Sequence, residues 1–529
     1  MFSEFDIIIV GAGSAGCALA YRLSENPGLR VLVLERGGEG DGLLFRMPAG
    51  LSKLIADPRY TAYFEVENPH RNAKMMVPRG AVLGGSSSIN GMIWLHGHPE
   101  DYDEWEALGN PGWGWRDMAP IFERIVWRGK ERPPEGRIPI ALPPQRLALA
   151  EAWIEAFAAL GVPRLDGLTR GNREGAEYNL LNCIRGERWS AARAFLAPAR
   201  KRPNVCVETQ FEVDRILFEG RRAVGVSGRK NGKQVIYRTR GEVILSANAY
   251  ASPRLLQISG VGPATHLRDC GVPVVADSPD VGMKMQDHVP FHLQFSLCRQ
   301  VSLNRQLQGW RLAWNGMRYL LSRSGPLSVS PFWAGGAVDT TGGHDRPDAY
   351  IFLAPMSFDM SSGTPVLDKS PGMMVGGYFL RPRSLGSVLI QSAAPSQPAK
   401  IEPNSLTHPE DAAASIRVFR NIRKLAAAAP LANLIASETM PTATVESDAD
   451  VLAWIGRETA GGGHTVGTCR MGTDEAAVVD PRLRVRHVEG LRVVDTAVIP
   501  RITSCNTNAP TIALAWRAAD IILEDIRQR

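Results

Sequence analysis

Hydrophobic positions along this chain arrive in two rhythms. Residues 5–10, FDIIIV, are an unbroken apolar, β-branched run, the pattern of a parallel strand covered on both faces. CALAYRLSEN, 17–26, then takes helical spacing and ends near Pro27-Gly28. RVLVLE, 30–35, is a second buried strand, so the start of the chain predicts one βαβ unit. GEVILSANA, 241–249, and GLRVVDTAVIP, 490–500, repeat the buried-strand pattern. Over 509–526, Ile512, Ala515, Trp516, Ala519, Ile522, Leu523 and Ile526 fall on one helix face. The rhythm changes over 320–400, where DAYIFLAPM and GSVLIQSA stand among Gly, Ser and Pro and predict antiparallel strands. Segments of one parallel sheet thus lie at the start, middle and end of the chain. One domain is therefore discontinuous, with a second inserted into it.

Length agrees, since 529 residues exceed one ordinary core. The expected fold class is α/β, a Rossmann-like part carrying an inserted α+β part. Apolar and charged shares of 44% and 22% are ordinary for a globular protein, and no window approaches eighteen consecutive apolar residues, so no membrane span is expected. The formal charge of +6 is scattered, with no basic run interleaved with aromatics, which argues against nucleic-acid binding. Seven cysteines are widely spaced and never form CxxC, which reads as reduced thiols with neither a disulfide frame nor a zinc site. With no basic leader ahead of the first strand, a cytoplasmic location is expected.

The first turn carries chemistry. Gly11, Gly13 and Gly16 make G-x-G-x-x-G between a strand and a helix, and with Ser14 and Ala15 they present helix N-terminal N–H groups to a pyrophosphate. Glu35 ends the second strand, 19 residues after Gly16, where a carboxylate accepts from both ribose hydroxyls. An acid there disfavours the 2′-phosphate of NADP without separating NAD from FAD.

Late in the chain His464 follows three glycines, Gly461–Gly463. It is either a turn that happens to carry a histidine or an imidazole held on backbone that fits closely around a ligand. Asn508, just before Ala509-Pro510 and the last helix, reads equally as an N-cap. His96, His98, His288 and His292 invite a metal reading, but even His96 and His98, near Glu100, Asp101 and Asp103, have loose spacing for one, and none is expected. Phe332, Trp333 and Met356 form either an apolar substrate wall or ordinary core.

Several longer segments carry a resemblance. PRGAVLGGSSSINGMIWLHGHPEDYDEW, 78–105, resembles the first signature of the glucose–methanol–choline (GMC) flavoprotein oxidoreductases, and GEVILSANAYASPRLLQISGVGP, 241–263, resembles the second. DVGMKMQDH, 280–288, GGGHTVGTCRMG, 461–472, and GLRVVDTAVIPRITSCNTNAPTIALAWRAADII, 490–522, are similar to further family segments. Within the family the chain is most similar to bacterial choline-dehydrogenase-like alcohol dehydrogenases.

The resemblance implies FAD, a Rossmann-like FAD domain over 1–156, 200–300 and 461–529, and a substrate domain over 157–199 and 301–460 with an antiparallel sheet flanked by helices. It implies that Asn90, Gly91, Met92 and Ile93 lie against the flavin, that Val82 and Gly84 line the adjoining loop, and that the Val213 main chain meets the adenine. Asp495, with Ala497 close behind, matches the acid near the ribityl and pyrophosphate. Ile89 stands where some members carry a flavin-linking histidine, so non-covalent FAD is expected. The implied reaction oxidises a primary alcohol to an aldehyde: His464 takes the hydroxyl proton, Asn508 hydrogen-bonds the same oxygen, and hydride passes to flavin N5. A hydroxynitrile-lyase-like enzyme of the same fold is the alternative; a non-catalytic nucleotide-binding protein is disfavoured by the presence of both residues. Oxygen or a quinone-like acceptor would complete the cycle, and peripheral membrane contact stays open.

Overall fold

The structure is a computed structural model that describes residues 4–71, 73–166, 173–343, 346–360, 365–459 and 461–528. Its main strands, in chain order, are β1 (Phe5–Val10), β2 (Val31–Leu34), β3 (Gly175–Tyr178), β4 (Val205–Glu208), β5 (Phe211–Glu219), β6 (Arg222–Lys230), β7 (Lys233–Leu245), β8 (Phe291–Leu297), β9 (Ala334–Val338), β10 (Ala349–Ala354), β11 (Gly372–Phe379), β12 (Ile435–Met440) and β13 (Leu491–Val493). The helices that matter for the site are α1 (Ser14–Leu23), α2 (Asn248–Ile258), α3 (Gly309–Ser322), α4 (Pro409–Ala426) and α5 (Asn508–Gln528).

One sheet runs β4-β2-β1-β7-β6-β5, with β13 on the far side of β7. Its centre is parallel: β2 and β7 flank β1, β4 joins β2, and β13 joins β7. The apolar run of β1 is explained by that position, since Ile7, Ile8, Ile9 and Val10 are at most 4% exposed. Burying each such side chain stabilises by about 1.5–3 kcal/mol. β7 is longer than the sequence pattern suggests. Its first half closes an antiparallel meander with β5 and β6, and only its last residues enter the parallel centre. The strand expected over 490–500 covers three residues, because Asp495 turns the chain. Arg492 on β13 is 1% exposed and donates to Glu242 on β7 at 2.6 and 3.1 Å and to Asp525 on α5 at 2.7 Å. That cluster fixes the last strand and helix to the middle of the chain.

The second sheet is antiparallel, in the order β12-β8-β11-β10-β9-β3, with α4 packed on β11. DAYIFLAPM supplies its β10, whereas the expected strand in GSVLIQSA is a short pair, Ser387–Leu389 with Lys400–Glu402. The chain passes between the two cores at other points than expected. β8 falls within 200–300, yet it pairs in the antiparallel sheet. The helix Ala148–Ala159 packs with that sheet's core, and Trp189, Ala191 and Phe195 pack with the parallel sheet's core. These crossings occur inside apolar runs, so composition does not mark them.

Candidate active site

Between the two sheets lies a cavity of about 520 Å³. Three helices start on its wall: α1 at Ser14, α2 at Asn248 and α5 at Asn508. Their N–H groups and positive dipole ends favour an anionic ligand. Gly11, Gly13, Ser14, Ala15, Glu35, Asn90, Gly91, Met92, Ile93, Val213, Asp495, His464 and Asn508 all line the cavity.

The glycine loop is built for close approach. A Cβ on Gly16 would stand 1.9 Å from the Gly11 carbonyl oxygen, so α1 can cross the loop only there with glycine. A Cβ on Gly13 would meet no atom within 4 Å and would project into open space instead. Glu35 accepts from Ala12 N at 3.0 Å and Gly37 N at 2.8 Å, so its buried carboxylate braces the loops after β1 and β2. Asp495 accepts from Asn248 N and Ala497 N and from the Ser252 hydroxyl. Burial lifts it to about 6, the Ser252 and backbone donors pulling the other way.

Four expected residues stand behind the wall. Gly16 and Gly84 shape the loops, Gly84 N donating to Ala12 O at 2.7 Å with φ +89°. Val82 packs with Phe45, Leu54 and Ile89, and Ala497 holds Asp495. Gly91 has a reason of its own: a Cβ there would lie 2.6 Å from the Phe332 ring. Phe332 lines the cavity with Phe352, Tyr378, His292 and Pro290, whereas Trp333 and Met356 belong to the second core.

The histidine loop carries an ordered chain of hydrogen bonds. His288 Nε2 lies 3.0 Å from the Leu380 carbonyl oxygen, which can only accept, so His288 carries its proton on Nε2. His288 Nδ1 is left to accept and lies 3.0 Å from His464 Nδ1, which therefore holds the His464 proton. The lone pair of His464 is on Nε2, 3.0 Å from the Asn506 amide nitrogen, and the Asn506 oxygen accepts from Tyr378 at 3.3 Å. Burial, then His288 and Arg79, hold His464 well below its ordinary value, so it is a neutral acceptor.

The loop itself is tied down. His464 N donates to Asp287 Oδ1 at 2.8 Å, Thr465 Oγ1 lies 2.7 Å from Asp287 Oδ2, and Arg79 donates to Gly463 O and to Thr465 Oγ1. Gly461 and Gly463 take φ of +140° and +74°, which answers why glycines precede the histidine.

The amide that meets His464 Nε2 is that of Asn506, while Asn508, expected beside the substrate oxygen, lines the same cavity. α5 begins at Asn508, and two residues along the tight lead-in turn send the side chains to different partners. Asn508 Oδ1 accepts from the Ser14 hydroxyl at 2.8 Å, while its Nδ2 is buried with no partner. That orphaned donor, on a wall shared with Gly13 and three helix N-termini, fits a cofactor that brings its own acceptor. His288, Arg79 and Asn506 were missed as site residues. NTNAP holds two asparagines, and helix-start grammar drew attention to the second. His98 caps a helix, its Nδ1 accepting from Glu100 N, and the His96 ring packs against Phe122.

A dinucleotide cradle facing a buried, proton-accepting imidazole fits a nucleotide-cofactor oxidoreductase, and the comparisons say which. The GMC oxidoreductase pattern matches residues 5–290 in its N-terminal part and 382–515 in its C-terminal part, and the chain belongs to that family. It is 36% identical over 532 residues to an oxygen-dependent choline dehydrogenase of Sinorhizobium fredii, covering 98% of this chain and 96% of that protein. The same enzyme of Brucella suis biovar 1 is equally similar, at 36% over 532 residues, with 98% and 96% covered. Among solved structures, a pyridoxine 4-oxidase from Mesorbium loti superimposes with a TM-score of 0.87 at 29% identity, over 98% of this chain and 99% of the other. An Aspergillus oryzae RIB40 formate oxidase, solved for an effect on FAD modification, gives 0.91 at 25% identity, over 99% of both. The protein is an FAD-dependent oxidoreductase of the GMC type acting on alcohols. These relatives do not favour the hydroxynitrile-lyase alternative.

Proposed function

We propose that the protein oxidises a neutral, apolar or aromatic primary alcohol to its aldehyde, with His464 as the base and Asn506 in the amide role the sequence suggested for Asn508. The observation that carries this is the one-way hydrogen-bond chain that makes Nε2 of His464 an acceptor on the cavity wall, where it meets the Asn506 amide. FAD, when bound, supplies the hydride acceptor. Gly13 and the starts of α1, α2 and α5 would hold its pyrophosphate and flavin, with Asn508 Nδ2 offered to a ring or ribityl oxygen. Ile89, apolar and buried, offers no nucleophile, so the cofactor is held without a covalent bond.

A substrate hydroxyl that takes the place of the Asn506 amide at Nε2 donates its proton there and accepts from the displaced amide nitrogen. Asn506 steadies negative charge as it develops on that oxygen without competing for the proton. As the proton arrives, His288 Nδ1 accepts from the imidazolium, and its own N–H is already committed to Leu380 O. The far wall is Phe332, Phe352, Tyr378, His292 and Pro290, with no carboxylate among them. That chemistry suits an uncharged aromatic or aliphatic alcohol better than a cationic one such as choline. The re-oxidant is oxygen or a quinone-like acceptor, and a cytoplasmic location, on the inner side of the membrane, remains the expectation. The dividing lines between the two domains are placed where β8 and the helix Ala148–Ala159 enter the antiparallel side.

The test is anaerobic mixing of His464→Ala with benzyl alcohol. Reduction of the flavin, followed by its absorbance, should slow by about 10²–10⁴ against wild type with flavin content unchanged. A rate within a few-fold of wild type removes His464 from the role.

A further inference from the structure

One helix of this protein is inside out. α3 reads GWRLAWNGMRYLLS, and its buried residues are Asn315 and Tyr319. The opposite face, at the spacing of one helix stripe, is Trp310, Trp314, Met317 and Leu321. Trp310 is 70% exposed, Trp314 61% and Leu321 82%; Leu312 and Leu320 beside them are exposed as well. A helix on a water-facing surface ordinarily presents charge outward, and an apolar patch this concentrated marks a surface that meets something apolar.

The charges around it say what. Between Asp287 and Asp339 the chain carries Arg299, Arg305, Arg311, Arg318 and Arg323 and not one acidic residue. Arg311 lies over the Trp310 ring at 4.7 Å, and Arg305 and Arg318 are exposed. Arg323 is partly engaged by Glu187 at 3.5 Å. Two copies meeting face to face would bring these arginines together, which opposes self-association. Tryptophan and leucine flanked by arginine suit the boundary between acyl chains and anionic headgroups. Among the described residues no helix is long and apolar enough to cross a membrane, so contact would be along the surface.

We propose that α3 is an interfacial anchor that seats the protein on an anionic lipid bilayer, Trp310, Trp314, Met317 and Leu321 entering the acyl boundary and Arg305, Arg311 and Arg318 meeting headgroups. The anchor is coupled to the cavity. α3 packs on the short turn Pro326–Ser328, which packs on Pro48–Gly50, and the next residues of each contribute Phe332 on one side and Leu51 and Ile55 on the other to the cavity wall. Seating α3 on lipid therefore brings the bilayer, with the apolar alcohols or acceptors dissolved in it, to the side of the protein that carries the Phe332 and Leu51 part of the cavity wall.

The test is co-sedimentation of the flavin-loaded protein with vesicles of mixed phosphatidylglycerol and phosphatidylcholine, and with phosphatidylcholine alone. Binding to the anionic vesicles, weakened by salt, is expected, with a blue shift of tryptophan emission. The triple variant Trp310→Ser, Trp314→Ser, Leu321→Ser should bind about tenfold or more weakly, and Arg311→Gln with Arg318→Gln should lose most of the preference for anionic vesicles. Both should keep the flavin spectrum and turnover of a water-soluble alcohol. No binding of the native protein to anionic vesicles overturns the anchor. Equal binding to both vesicle types overturns the anionic choice. A dimer in light scattering that the triple variant converts to monomer assigns the face to a second copy instead.

Discussion

The two walls of the cavity are made of different materials. The nucleotide wall is backbone: glycine turns, three helix starts, and carboxylates such as Glu35 and Asp495 that hold loops in shape. The opposite wall is side chain: Phe332, Phe352, Tyr378 and His292 projecting from or beside an antiparallel sheet. His464 and Asn506 stand at the seam. A wall of backbone tolerates almost no substitution where atoms already touch, whereas a wall of rings can be re-cut. The first should therefore fail as all or none and the second should shift selectivity.

The sharpest break is expected at Gly16. Gly16→Val would drive a side chain into the Gly11 carbonyl, and the purified protein should lack flavin absorbance while its soluble yield shows whether folding survives. A normal yellow holoenzyme would refute the backbone description. Next comes the seam, where Asn506→Ala should lower kcat by about 10²–10³ and Asn508→Ala should act mainly on flavin affinity. Equal kcat losses in both would blur the distinction drawn here. On the ring wall, Phe332→Ala should lower kcat/KM for benzyl alcohol by about tenfold and leave that for ethanol within a few-fold. The two are compared in the same steady-state assay.

The smallest effect is in the pH profile. Burial, then His288 and Arg79, depress the His464 value in the folded protein, so the acceptor form is present throughout the range above it and is lost only as pH falls through it. kcat/KM should accordingly stay level through pH 6.5, the ordinary imidazole value, and decline only well below it. An acid limb centred above that point would contradict the assignment.

What the sequence disclosed follows the same division. Backbone approach demands glycine, and Gly11, Gly13 and Gly16 announce themselves by spacing alone. The ring wall has no such rule. Phe332 and Trp333 differ by one position, yet one faces the cavity and the other the core, because the chain is entering β9 and successive side chains point to opposite faces. His288 was visible as a histidine but not as a partner, since 176 residues separate it from His464. Asn506 was hidden by its neighbour, because local helix grammar describes a helix start and is silent about the residue just ahead of it. β8 lies inside the 200–300 span expected for the FAD domain, yet it pairs in the antiparallel sheet, as an apolar strand does not declare which sheet it will join.

The placement of Arg492 has a consequence for how the molecule is made. β13 and α5 complete the parallel sheet and the α1 side of the cradle, and both follow every strand of the antiparallel sheet in the chain. During synthesis β1 and α1 wait for partners almost 490 residues downstream, while the antiparallel part already has all its strands. Cofactor capture is thereby postponed until β13 and α5 have been made, and a nascent chain stalled before β13 would present an unfinished edge to chaperones.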